Sequence, residues 1–159
     1  MEYRKKKKII RTGIIILFTL YLILLAYFLF FADSWGRTHL TEDYHYNFIP
    51  FKEILRFWTY RDILSMRVVC LNLIGNVIVL IPFGMFLPML LKKCRKWICV
   101  ILLSFVLSLS IELVQLVARV GSFDVDDMIL NTIGGAIGFL LYLLLRRVWN
   151  KYHEEKKQL

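Results

Sequence analysis

The sequence predicts an all-α, polytopic membrane protein: four transmembrane helices, with an interfacial amphipathic helix between the first and the second. Three observations predict it. The 159 residues are 58% hydrophobic, above the roughly half expected of a soluble domain, and mean hydropathy is +0.61. The apolar residues gather in four blocks, each close to the length that crosses a hydrocarbon core. Lysine and arginine punctuate the block ends, which is the placement that orients a membrane protein.

A basic cytoplasmic N-terminus, residues 1–11, precedes the first span, 12–31. From Thr12 to Phe31 there are 20 residues without a charge, about 30 Å of helix. A signal peptide would also pair a basic start with an apolar run, and Ala32-Asp33-Ser34 resembles a small-residue cleavage site. The run exceeds the roughly 7–15 residues of a signal core, so a retained helix is expected. Residues 32–67 form an extracytoplasmic loop. Within it Phe51, Ile54, Leu55 and Trp58 recur at helical spacing behind Pro50, a residue suited to a helix start. An interfacial helix over 51–66 is the reading; the alternative is a loop whose aromatics sit in the interfacial belt.

The second span, 68–91, contains Pro82, which cannot donate to the Ile78 carbonyl, so a kink near mid-helix is expected. A cytoplasmic loop, 92–96, leads to the third span, 97–118, which carries one ionisable residue, Glu112. A short extracytoplasmic loop, 119–127, leads to the fourth, 128–145, and a cytoplasmic tail covers 146–159. With the N-terminus inside, the inner segments hold 6, 4 and 5 Lys/Arg and the outer ones 5 and 1. The bias of fifteen against six predicts both termini in the cytoplasm.

The net charge of +9 raises the possibility of nucleic-acid binding. Its carriers lie at span ends rather than along one face of a soluble fold, so no nucleic-acid partner is expected. Cys70, Cys94 and Cys99 have neither metal-ligand spacing nor an even count and read as unpaired. No metal and no cofactor is indicated.

The informative residues are those a bilayer disfavours. Ser104, Ser108, Glu112, Gln115 and Arg119 follow at intervals of 4, 4, 3 and 4, which places all five on one helical stripe. Asn72 and Asn76 share a face at the start of the second span. Asp124, Asp127 and Asn131 lead into the fourth, followed by Gly134, Gly135 and Gly138, small residues that let another helix backbone approach. Under the predicted topology these groups reach matching depth in the outer part of the membrane, with Glu112 about 9 Å below Ala118. An acidic side chain near a helix centre costs about 2.5–3.5 kcal/mol on insertion scales, so Glu112 should face the bundle and find a partner.

The expectation is a compact bundle with a polar pocket opening outward, formed by Asn72, Asn76, Glu112, Gln115, Arg119, Asp124, Asp127 and Asn131. A plainer reading stays open beside it. The amides could be interhelical glue, Arg119 could merely pair with an aspartate, and Asp124 and Asp126 could cap a helix, the favoured role for Asp124.

Four stretches, Asn47-Phe48-Ile49-Pro50-Phe51, Asn76 to Gly84 with Pro82-Phe83-Gly84 at its end, Glu112 to Gln115, and Asp124 to Gly135, follow one another in an order and spacing that resembles the VanZ-like family. The resemblance covers about residues 47–145; the first span fits it in kind rather than by motif. Those bacterial membrane proteins are named after an accessory protein of teicoplanin resistance. The resemblance therefore implies a place in the cell envelope and reduced susceptibility to lipid-bearing glycopeptides. It supplies no catalytic residue. The matching positions are Asn76, Glu112, Gln115, Asp127 and Asn131. One departure is Asp126, where the name-giving member has a neutral polar residue, so Asp127 is favoured over it.

Three functions compete. In the first, the bundle is a non-catalytic protein of the bacterial cell membrane. Its partners are membrane lipids and a lipid-linked cell-wall precursor or lipoglycopeptide. In the second, it is an intramembrane enzyme acting on such a precursor, with Glu112 and Asp127 as acid and base. No nucleophile-plus-base signature, intramembrane histidine or Gly-rich phosphate loop supports that. In the third, it conducts protons or small cations through Glu112, but Ile98 to Leu103 and Leu140 to Leu145 offer no polar path through the inner half beyond Ser104 and Tyr142.

Overall fold

A computed structural model describes residues 2–30, 46–118 and 122–158. Five α-helices account for nearly all of them: α1 (Glu2–Phe30), α2 (Lys52–Thr59), α3 (Met66–Leu90), α4 (Trp97–Ala118) and α5 (Val125–Gln158). Two short strands, β1 (Tyr46–Asn47) and β2 (Phe123–Asp124), pair in parallel, and a 3₁₀ turn at Lys92–Arg95 joins α3 to α4. Within α1, α3, α4 and α5, four segments are long and apolar enough to cross a membrane: Lys8–Phe28, Met66–Leu90, Trp97–Ala118 and Val125–Tyr152.

Pairwise contacts fix the directions. Phe18 packs against Phe83 and Phe86 with tilted rings, whereas Tyr21, one turn later, donates its hydroxyl to the Val79 carbonyl at 2.7 Å, so α1 runs antiparallel to α3. Ser104 meets Gly135 and Ser108 meets Asn131, which makes α4 antiparallel to α5. Val77 meets Gly134 and Ile81 meets Gly138, which makes α3 and α5 parallel. The spans thus alternate in direction. One end of the bundle carries the basic 3₁₀ turn, and the other carries the strand pair and α2.

The α3–α5 pair is the most closely packed, and glycine makes it so. A Cβ on Gly84 would overlap the Gly135 backbone, one on Gly134 the Val77 carbonyl, and one on Gly138 the Ile81 carbonyl. Close backbone approach gives dispersion contact that lipid cannot replace, which is what drives helix association inside a bilayer. Leu25, Leu80, Phe83, Leu87, Cys94, Val100, Phe139 and Tyr142 form one buried apolar cluster from mid-bundle toward the basic end. α1 adds to this cluster from the periphery; its Ile16, Leu20 and Ile23 are exposed, as side chains turned to lipid would be.

α3 passes unbroken through Pro82 and Pro88. Tyr21 donates beside the carbonyl that Pro82 leaves without its usual donor. α2 covers only the first half of the expected 51–66 helix, ending at Thr59 with Tyr60 N–H on the Arg56 carbonyl. Helix α3 begins at Met66 rather than at 68, and α5 begins at Val125, so Asp126 and Asp127 stand in its first turn. Pro50 lies just before α2, and Phe51 caps it with φ 66°, the left-handed region.

Candidate functional site

The strand end gathers the polar residues because four helix termini meet there and each presents side chains at helical intervals to its neighbours. The α4 stripe turns inward: Ser104 and Ser108 are fully buried, Glu112 is 2% exposed and Gln115 4%. Opposite it, Asn131 of α5 donates Nδ2 to Ser108 Oγ at 2.8 Å. Across the α3–α5 seam, Asn76 Nδ2 donates to Asp127 Oδ1. Glu112 Oε2 accepts the backbone N–H of Asp124 at 3.0 Å, which fastens the end of α4 to β2.

Asp124 carries the network outward. Its Oδ1 accepts Asn47 Nδ2 at 3.1 Å and the Asp126 N–H at 2.8 Å, while the Asn47 carbonyl oxygen Oδ1 accepts Ile49 N–H. Burial lifts the Asp124 carboxyl above the ordinary carboxylate range, against the opposing pull of the Asp126 N–H and the Asn47 amide. Phe48 packs between Tyr46 and Phe123, at ring separations of 5.2 and 5.3 Å, over this strand pair.

Asp126 has an unexpected role. Its side chain is 1% exposed and crosses to α2, where Oδ1 accepts the Phe51 N–H. Its Oδ2 accepts the N–H groups of Glu53 and Ile54 at 2.7 and 3.1 Å. A carboxylate here satisfies donors that open every helix and meets the positive end of the helix dipole. It also compensates the left-handed Phe51, a conformation that costs about 1–2 kcal/mol for a residue with a Cβ. Asp126 is therefore the cap of α2, supplied from α5 rather than from α2's own sequence.

Of the expected site residues, Asn76, Glu112, Gln115, Asp124, Asp127 and Asn131 converge at the strand end. Asn72 does not: it is exposed and donates Nδ2 to the Val68 carbonyl of its own helix at 2.8 Å. Arg119 lies outside the described residues. Gly134, Gly135 and Gly138 sit in the seams already described, Gly135 against the Ser104 hydroxyl. Sequence reasoning passed over Asn47 and Asp126 as site residues, and their partners lie more than seventy positions away. The available signal was the Asn47–Phe51 motif itself, a polar residue and a proline ahead of an amphipathic helix. Among the described residues, no three His, Cys, Asp or Glu side chains converge as a metal site.

Chemically, the cluster is a set of acceptors with donors assigned to them. Glu112 and Asp126 receive main-chain N–H groups, Asp127 an amide, and Asp124 both. Such an arrangement locks α2, α3, α4 and α5 to one another at this end.

The chain is 38% identical over 89 residues to Protein VanZ of Enterococcus faecium, an alignment that covers 54% of this chain and 50% of the relative. The chain thus spans about half the length of that relative. No solved structure matches. The VanZ/LLP1 family model matches residues 18–146, from within α1 to the basic residues of α5. On that match the chain, a membrane protein with four apolar helices, belongs to the VanZ/LLP1 family.

Proposed function

We propose that this protein acts in the bacterial cell envelope as a non-catalytic binder, lowering susceptibility to glycopeptides of the teicoplanin type. The strand end faces outward, as the basic bias of the opposite end favours. A lipidated glycopeptide or a lipid-linked wall precursor engages it, with its polar part over the Asn47–Asp124–Asp127 region and its acyl part along α2. The observation that carries this reading is the juxtaposition at the strand end. A buried polar network lies directly beneath a helix whose Phe51, Leu55 and Trp58 are all more than half exposed. Large exposed apolar side chains beside polar groups mark interfacial binding surfaces.

A non-catalytic role is favoured because the carboxyls that could move protons are taken up in holding helices together. Glu112 receives the Asp124 N–H, and Asp127 receives the Asn76 amide.

The test is drug susceptibility at matched membrane expression for wild type, Glu112→Gln, Asp127→Asn and Trp58→Ala. Trp58→Ala should restore much of the susceptibility, and Glu112→Gln and Asp127→Asn should do so less completely, because in each the amide oxygen can still accept the Asp124 N–H or the Asn76 amide. Unaltered resistance in all three would remove the strand end from the function.

A further inference from the structure

The basic end carries a feature that the proposed function leaves unused. A groove of about 460 Å³ runs along the first turns of α4, lined by Lys96, Ile98, Cys99, Leu102 and Leu103. Its size falls in the range of about 300–1,000 Å³ typical of small-molecule sites. Lys96 immediately precedes α4, and Leu102 and Leu103 lie five and six residues beyond its first residue, Trp97, about 8–9 Å along the helix axis. The groove is therefore lined almost wholly by hydrocarbon, and the basic turn stands at its end rather than within it.

The connection from α3 to α4 beside it is one-sided in charge. Lys92, Lys93, Arg95 and Lys96 are all exposed, and no Asp or Glu occurs anywhere between Asp62 and Glu112. The ion pairs formed elsewhere, Glu53–Arg56 and Arg61–Asp62, belong to the other end. Four cations within five residues, at the boundary of a membrane span, attract an anionic surface by a factor of about 5 for each lysine or arginine close to it.

We infer that this groove is a binding site for a phospholipid with an anionic headgroup, the phosphate held by Lys96 and the Lys92–Arg95 turn and one acyl chain lying along Ile98, Leu102 and Leu103. Charge complementarity selects the headgroup, and the apolar continuation of the groove selects a lipid over a free phosphate. The site lies at the opposite end from the strand-end network and stands independently of the function proposed there.

Trp97 is 59% exposed but falls on the face of α4 opposite Ile98, Cys99, Leu102 and Leu103, so the reporter of occupancy is Ile98→Trp in a Trp97→Phe background. Purified full-length protein in mild detergent is titrated with phosphatidylglycerol or phosphatidylcholine carrying brominated chains. The reporter signal is isolated by difference from Trp97→Phe alone. Quenching by phosphatidylglycerol should reach half-saturation at a concentration at least about tenfold lower than with phosphatidylcholine. Lys92→Gln/Lys93→Gln/Arg95→Gln/Lys96→Gln should bring the two lipids to parity, whereas Arg146→Gln/Arg147→Gln should leave the preference intact. Glycerol phosphate at the same concentrations should not compete. Equal quenching by the two lipids, or an equal loss from the α5 variant, overturns the site; competition by glycerol phosphate overturns the acyl part of it.

Discussion

The two halves of the bundle are held together by different chemistry. Toward the basic end, Leu80, Phe83, Leu87, Val100, Phe139 and Tyr142 fill the interior with apolar volume. Toward the strand end, Ser108, Glu112, Asp124, Asp126 and Asn131 are equally buried but are joined by directed hydrogen bonds. Apolar packing within a bilayer specifies little by itself, because lipid chains are as apolar as leucine. Hydrogen bonds specify partner and register, and an unmade one in a buried place costs about 1–3 kcal/mol. The polar half is thus the part that defines one arrangement of α2, α3, α4 and α5, and the apolar half tolerates more variation.

The largest expected effect comes from the seam common to both halves. Gly84→Leu would drive a side chain into the Gly135 backbone, at a cost of about 3 kcal/mol. Unfolding in a denaturing-detergent titration should shift accordingly, and a variant as stable as wild type would mean that α3 and α5 do not meet there. Next comes Asp126→Ala, which strands the Phe51, Glu53 and Ile54 donors at the start of α2 and should cost about 2 kcal/mol. Amide exchange should accelerate across α2 while α3 and α4 keep their protection.

Two asparagines four residues apart sharpen the contrast. Asn76→Ala removes the donor to Asp127 and should cost about 1–2 kcal/mol. Asn72→Ala loses only a bond to its own helix at an exposed position and should stay within about 0.5 kcal/mol. Equal effects in parallel denaturation curves would dissolve the distinction between the network and its surroundings.

The smallest effect is a pH dependence from Asp124. Its carboxyl titrates above the ordinary value in the folded protein, so folding takes up a proton. That contribution is complete below the unfolded carboxylate pKa and fades as pH rises through the folded one. Melting temperature in detergent should therefore fall slightly as pH is raised across that window, and Asp124→Asn should flatten this part of the profile. A wild-type profile superimposable on the variant's would exclude it.

Much of this was legible in the chain, because helical periodicity is a local property. Blocks of apolar residues gave the spans, and the 4, 4, 3 spacing from Ser104 to Gln115 gave a stripe that the fold buries. Periodicity does not tell which face of a helix end meets a partner, so Asn72 looked equivalent to Asn76 although it points away. Nor does it carry information across a long loop. The Asp126 cap joins groups 72–75 residues apart, and the β1–β2 pairing joins Tyr46 to Phe123. Reading Asp126 as a cap was sound chemistry attached to the wrong helix.

The cap on α2 also bears on how the protein is made. Asn47, Phe51 and Glu53 leave the ribosome well before the aspartates that complete them, the separation from Asn47 to Asp124 being 77 residues. At translation speeds of about 5–20 residues per second, that is on the order of 4 to 15 seconds. During that interval α2 has open donors and an unsupported apolar face. Its docking therefore depends on arrival of the final span, and a nascent or truncated chain lacking α5 presents this segment unprotected to membrane proteases.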